Sequence, residues 1–149
     1  QDDVLPPVLL DPRAPSSMAL SIVAQANGAG MREVRFVGRA ASGSELAAVA
    51  WGPRFSPPRR YGYEHIVLFL LVTPEHCVLM SSAGDRTEIP GCDDLAHYLQ
   101  ERHRLEPNRL DVVVAPSAEL EVRALLRALD LLATNGYPER YATDGSGFR

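Results

Sequence analysis

The chain has 149 residues, 46% of them hydrophobic and 23% charged, the proportions of a folded globular chain of one ordinary domain or two small modules sharing a core. Nineteen acidic residues outnumber fifteen basic ones for a net charge of −4, which argues against a general nucleic-acid binder. The longest apolar run, Ile66 to Val72, is far short of the roughly 20 residues that cross a bilayer. All fifteen basic residues are arginine, with no lysine, a usage that points to a GC-rich bacterial genome.

In chain order, Val8-Leu9-Leu10, set between prolines 6, 7 and 12, predicts a short strand. Met18, Ala19, Ile22, Val23 and Ala26 fall at helical spacing, with Ser16 or Ser17 as cap and Asn27-Gly28 as stop. Glu33 to Val37 alternates polar and apolar, as a half-buried strand does. Glu45 to Trp51 suits a strand or a short helix. Gly52 to Tyr63, with three prolines, three arginines and three aromatics, reads as a loop or extended linker.

Ile66 to Val72 is continuously apolar and predicts a strand covered on both faces. Cys77 to Met80 returns antiparallel after a Pro74-Glu75-His76 turn, and Ser81 to Asp85 reads as a hairpin-like turn. Asp93 or Asp94 caps a helix with Leu95, Tyr98, Leu99 and Leu105 facing inward, stopped by Pro107. Val112-Val113-Val114 is a strand. Ser117 caps a helix whose stripe is Val122, Leu125, Leu126, Leu129, Leu132 and Ala133, ended by Asn135-Gly136 before a closing strand at Arg140-Tyr141-Ala142.

Residues Val8 to Arg39 echo Val112 to Thr143. Both read as an apolar triplet, proline, amphipathic helix, Asn-Gly, then Glu and Arg before a strand. Pro12 faces Pro116, Asn27-Gly28 faces Asn135-Gly136 and Glu33 faces Glu139, with small gaps. The expected fold class is therefore α/β (α+β): two packed βαβ-type units, a mixed sheet with helices on one face, and an internal pseudo-dimer if the echo is a duplication. The expected division is a βαβ half-unit over 1–43, a linker over 44–65, a ββαβαβ unit over 66–143 and a tail over 144–149.

Little in the sequence carries catalytic chemistry. His65, His76, His97 and His103 lack the spacing of zinc ligands, and Asp93-Asp94 is explained by capping. Neither a nucleophile elbow nor a glycine-rich phosphate loop follows any strand. The expectation is a non-enzyme with no cofactor. Cys77 and Cys92 would close a loop of about 15 residues, worth about 3 kcal/mol if bonded; the spacing allows a disulfide in an oxidising compartment and equally allows two unpaired thiols. Arg54 to Tyr63 is the most distinctive stretch, and Arg59, Arg60, Tyr61 and Tyr63 suit stacking against a protein or glycan partner. A plain surface linker is the other reading of the same residues.

From Ile66 to Thr143 the chain resembles the periplasmic domain of the ExbD/TolR family. The resemblance rests on the order of Val67–Val72, Cys77–Met80, Asp94–Leu99, Leu110–Ala115, Val122–Leu132 and Asn135-Gly136. It covers about half the chain, with residues 8–39 as a partial echo. Two departures are visible: Ala115-Pro116 stands where the family has an aspartate, and no segment matches its proton-carrying membrane helix. The chain begins at Gln1 without a methionine, so it reads as a processed chain or a piece of a longer one. The resemblance implies a periplasmic or cell-envelope location and action by protein–protein contact in an ion-driven transport or motility complex. Self-association or peptidoglycan contact would accompany that role. The alternative is a stand-alone adaptor or binding module for a cell-wall fragment or small ligand, seated between the two units.

Overall fold

A computed structural model of the chain describes residues 8–29, 34–39, 45–50, 68–81, 84–105, 111–137 and 139–142. The fold is mixed α/β, with three helices and two sheets among the described residues. Strands β1 (Val8–Leu9), β2 (Val34–Arg39) and β3 (Glu45–Ala50) form the first sheet in that order. Helix α1 (Ser16–Gly28) connects β1 to β2, which run parallel, and β3 returns antiparallel. The second sheet is ordered β6-β5-β4-β7-β8. Its members are β4 (Leu68–Val72), β5 (His76–Ser81), β6 (Arg86–Pro90), β7 (Asp111–Pro116) and β8 (Glu139–Ala142). Only β5 runs against the other four. Helix α2 (Leu95–Leu105) links β6 to β7, and α3 (Val122–Thr134) links β7 to β8.

Register explains which residues form the core. Partners across a ladder share a face, so Thr87, Leu79, Leu70 and Val114 make one row and Ile89, Cys77, Val72 and Pro116 the next. Leu68, Leu70, Leu79, Ile89, Val112 and Val114 are buried there. Helices α2 and α3 contact one another over this face, and the Tyr137 hydroxyl after α3 donates to the Leu99 carbonyl of α2 at 3.3 Å. β4 alternates, with Leu68, Leu70 and Val72 buried and Phe69 and Leu71 partly open, so it is not covered equally on both faces. Helix α3 also packs against β2 and β3. One continuous core therefore runs from Ala19, Val23 and Phe36 to Leu99 and Ile89.

The internal echo is present, in a different register from the one the sequence suggests. α1 and α3 both have 13 residues, and each α3 residue is numbered 106 above its α1 counterpart. The same offset carries the Val8↔Phe36 pair of β1 and β2 onto the Val114↔Ala142 pair of β7 and β8. Pro12 thus corresponds to Ala118, not to Pro116. The two units meet through an antiparallel bridge between Pro15 and Glu121. Ser16 N–H donates to the Leu120 carbonyl at 2.7 Å and Val122 N–H to that of Ala14 at 2.8 Å. Outside these, Ser17 N–H donates to Ala118 at 3.1 Å and Arg123 N–H to Pro12 at 3.0 Å. Each bond has its counterpart under the 106-residue offset, which makes the junction a local pseudo-twofold axis.

Several expectations need correction. Residues 44–65 are not all linker, because Glu45–Ala50 is β3 and completes the first sheet. The second unit has an additional strand, β6, between the turn expected at Ser81–Asp85 and the helix, where no element was expected. Tyr98 and Leu105 are 36% and 65% exposed, leaving Leu95 and Leu99 as the buried side of α2. Ala133 likewise faces solvent. Ser117 does not cap α3; its Oγ has no hydrogen-bond partner, and Glu121 at the N-cap makes no side-chain cap bond. The Ser16 Oγ is buried and also without a partner. The backbone junction already takes the first N–H groups of both helices, so side-chain caps are redundant there.

Because both sheets share one core, Leu132→Ala, at a fully buried position of α3, is expected to lower stability by about 2–5 kcal/mol. Native-state hydrogen exchange should report that loss equally at β2 and β7 amides. A loss confined to β7 would show two independent folding units.

Candidate functional site

Thr73, His76 and the two cysteines gather where the β4–β5 turn meets the segment between β6 and α2. Thr73 Oγ1 accepts from the backbone N–H of Glu75 at 3.3 Å and of His76 at 3.1 Å, and donates to the His76 carbonyl at 2.9 Å. His76 Nδ1 lies 3.2 Å from the same oxygen. This Asx-like use of a threonine hydroxyl closes the β4–β5 turn. Gly91 N–H donates to the Glu75 carbonyl at 2.9 Å, so the segment leaving β6 folds back on that turn.

Cys77 and Cys92 are joined in a disulfide there, with Cα atoms 5.0 Å apart. Cys77 lies on the buried face of β5, and Cys92 sits at φ 60°, in the left-handed region that a non-glycine residue seldom occupies. Cys92 N–H bonds to the Ile89 carbonyl at 3.2 Å, and its own carbonyl receives Leu95 N–H at 3.2 Å. The bond therefore fixes the entry to α2 against the sheet. Further along, Arg102 Nη1 meets Asp85 Oδ2 at 2.8 Å, tying the outer end of α2 to the β5–β6 turn.

The histidines occupy separate places. His76 is in the hairpin, His97 sits edge-on to Tyr98 at 5.7 Å, and His103 sits edge-on to the buried Tyr137 at 5.7 Å. His65 lies outside the described residues. Among the described residues no three His, Cys, Asp or Glu side chains are grouped as metal ligands. Asp93 and Asp94 are both exposed ahead of α2, which begins at Leu95. On the open side of α2, Arg104 holds the Glu101 carboxyl below its ordinary range, first by its hydrogen bond and then by its charge. That interaction is present above the unfolded carboxylate pKa and fades as pH falls through the depressed one; it lies at the surface and is screened by salt.

The Arg59, Arg60, Tyr61 and Tyr63 cluster lies outside the described residues. What the described surface offers a partner is strand edges. β6 presents exposed Arg86 and Glu88, which pair at 3.4 Å, and ends at Pro90; charge and proline guard such an edge against further pairing. β3 and β8 approach one another. β1 is hydrogen-bonded on one side only among the described residues, and Leu9 on it is 79% exposed. The sequence marked the Val8–Leu10 triplet as a strand but not its place in the sheet, because that depends on strand order. Comparison with known proteins finds no matching family model and no matching curated protein. No described helix is long and apolar enough to cross a membrane.

Two stability measurements probe this region. Reduction of Cys77–Cys92, or its replacement by two serines, is expected to cost about 3 kcal/mol in urea unfolding, with α2 amides losing exchange protection first. Gly136 has φ 94°, and a Cβ there would stand 2.6 Å from the His103 ring. Gly136→Ala should therefore cost about 1–3 kcal/mol. Adding His103→Ala should recover the steric part of that loss and leave the backbone part.

Proposed function

We propose that this chain is a non-enzymatic domain of the bacterial cell envelope, working by protein–protein contact in an ion-driven transport or motility complex, in the manner of the ExbD/TolR soluble region. The observation that carries the reading is the element order of the second unit. A strand hairpin (β4, β5), a helix, a strand, a helix and a last strand succeed one another over Leu68–Ala142, with β6 added between hairpin and helix. A disulfide belongs with an oxidising compartment such as the periplasm. Exposed Tyr98 and Leu105 on α2 and exposed Leu9 on β1 supply apolar contact surface of the kind protein interfaces use.

In-cell photo-crosslinking in the native host tests the proposal. A photoreactive phenylalanine analogue at Tyr98 or Leu105 should give a discrete adduct with an integral membrane component of an ion channel. The adduct yield should change when an ionophore collapses the ion gradient. Adducts only with soluble proteins, or a yield indifferent to the ionophore, would overturn the motor-coupled reading.

A further inference from the structure

The helix starts are held by different means. α1 and α3 lend their first N–H groups to one another across the junction, and no change of redox state touches those bonds. α2 starts from the turn over Gly91–Asp94, whose covalent anchor is the bond from Cys92 to Cys77. The two sulfur-bearing residues sit in unlike surroundings. Cys77 is fully buried on β5, in the core row of Val72 and Ile89, whereas Cys92 is partly exposed between exposed Gly91 and Asp93. Cys92 also holds φ 60° and is the only non-glycine residue at positive φ among the described residues, a conformation that costs an L side chain. Exposure and strain are the two features that make a disulfide labile rather than inert. The second half of α2 has other ties, from the Leu99 carbonyl to the Tyr137 hydroxyl and from Arg102 to Asp85. Its first turn depends on the cysteine.

We infer that Cys77–Cys92 is a reversible redox clasp, opened by a protein dithiol that enters at Cys92, and that it governs whether the first turn of α2 is held on the sheet. A thiolate of the reductant attacks Cys92 Sγ. The S–S bond breaks, its electron pair leaves on Cys77 Sγ, and that sulfur takes up a proton. The reductant's second thiol gives up its proton and attacks the reductant's own sulfur in the mixed disulfide. Cys92 Sγ leaves with the electron pair and is protonated in turn. Two electrons and two protons thus pass to the cysteine pair, and the reductant ends as its own disulfide. Reduced Cys77 stays in the core as a small apolar thiol, so the sheet survives opening. Released Cys92 leaves the left-handed region, and the Leu95 N–H loses the acceptor that the Cys92 carbonyl provides at 3.2 Å. Tyr98 lies on the loosened half of α2 and Leu105 on the half that keeps its ties. This control rests on the protein-contact reading above and gives that contact a regulator.

The full 149-residue chain, oxidised, is the material for the test. Glutathione, a monothiol, is the first probe: acid quenching and mass mapping should find it on Cys92, with Cys77 free. An adduct on Cys77 would overturn the point of entry. The rate of reduction by dithiothreitol is then followed in urea below the unfolding transition. Attack on the folded chain should change the rate by less than about twofold while the unfolding constant rises about a hundredfold. A rate that tracks the unfolding constant would mean that the bond opens only with the whole domain, and the clasp would fall. Hydrogen exchange of the reduced chain should widen the gap in protection between the Leu95 and Tyr98 amides and those of α3 by about tenfold or more. Equal loss in both helices would overturn the local release. In the crosslinking assay, reduction should lower the adduct yield at Tyr98 by about threefold or more and leave that at Leu105. Equal yields at Tyr98 in both redox states would overturn the control and keep the contact. Failure of every adduct, with the first turn of α2 still released on reduction, would keep the clasp and remove the contact reading.

Discussion

Four backbone hydrogen bonds between Pro12–Ser17 and Ala118–Arg123 organise this molecule. A helix begins with N–H groups that have no partner inside it, and most proteins satisfy some of them with a side-chain cap or water. Here each helix start lends those donors to the carbonyls just ahead of the other helix. Ser16 and Ser17 of α1 donate across the axis, and so do Val122 and Arg123 of α3. Two consequences follow. Neither helix depends on its own serine, which is why Ser16 and Ser117 keep unpartnered hydroxyls. The donors that would make a helix start attractive to phosphate or carboxylate are also already engaged.

The pseudo-symmetry also shows how one supersecondary unit is adapted to two environments. α3 lies among both sheets and α2, and carries leucine at 125, 126, 129 and 132 to fill that space. α1 packs with a thinner set, Ala19, Val23 and Ala26, against β2 and α3. Small side chains let a helix approach its support closely, while large ones are needed where it must fill space on several sides. The strands obey the same logic. β7, flanked by strands on both sides, is buried from Val112 to Pro116, whereas in β1 Val8 is only partly buried and Leu9 is exposed.

Periodicity made the central elements legible: the apolar runs at 68–72 and 112–114 and the leucine stripe of α3 each became the element their spacing predicts. β6 was not legible because Arg-Thr-Glu-Ile-Pro has one strongly buried residue, Ile89, and otherwise reads as a polar turn. Its existence depends on pairing with β5, which no local pattern records. The repeat was visible but misregistered. Proline and Asn-Gly mark turns, and turns shift by a residue or two, whereas helix starts and ladder partners hold the offset at 106 throughout. The caps failed for a related reason, since a serine ahead of a helix predicts capping only when the backbone N–H groups lack another acceptor. At the site, the joining of Cys77 to Cys92 followed from where β6 delivers the chain, which is not a property of nearby residues alone.

α2 shows why the cysteine bridge lies where it does. This helix buries only Leu95 and Leu99, and an isolated helix of eleven residues is marginal in water. External ties complete its support, among them Cys92 to Cys77, the Leu99 carbonyl to the Tyr137 hydroxyl, His103 to the Tyr137 ring, and Arg102 to Asp85. Of these, the surface-facing Arg102–Asp85 pair contributes least, since Asp85 is half exposed. The disulfide contributes most. It acts at Cys92, the only non-glycine residue at positive φ among the described residues, which with Gly91 aims α2 across the sheet. A helix so lightly buried can leave Tyr98 and Leu105 facing solvent without losing its position, and an exposed apolar face on a fixed frame is what a contact surface requires.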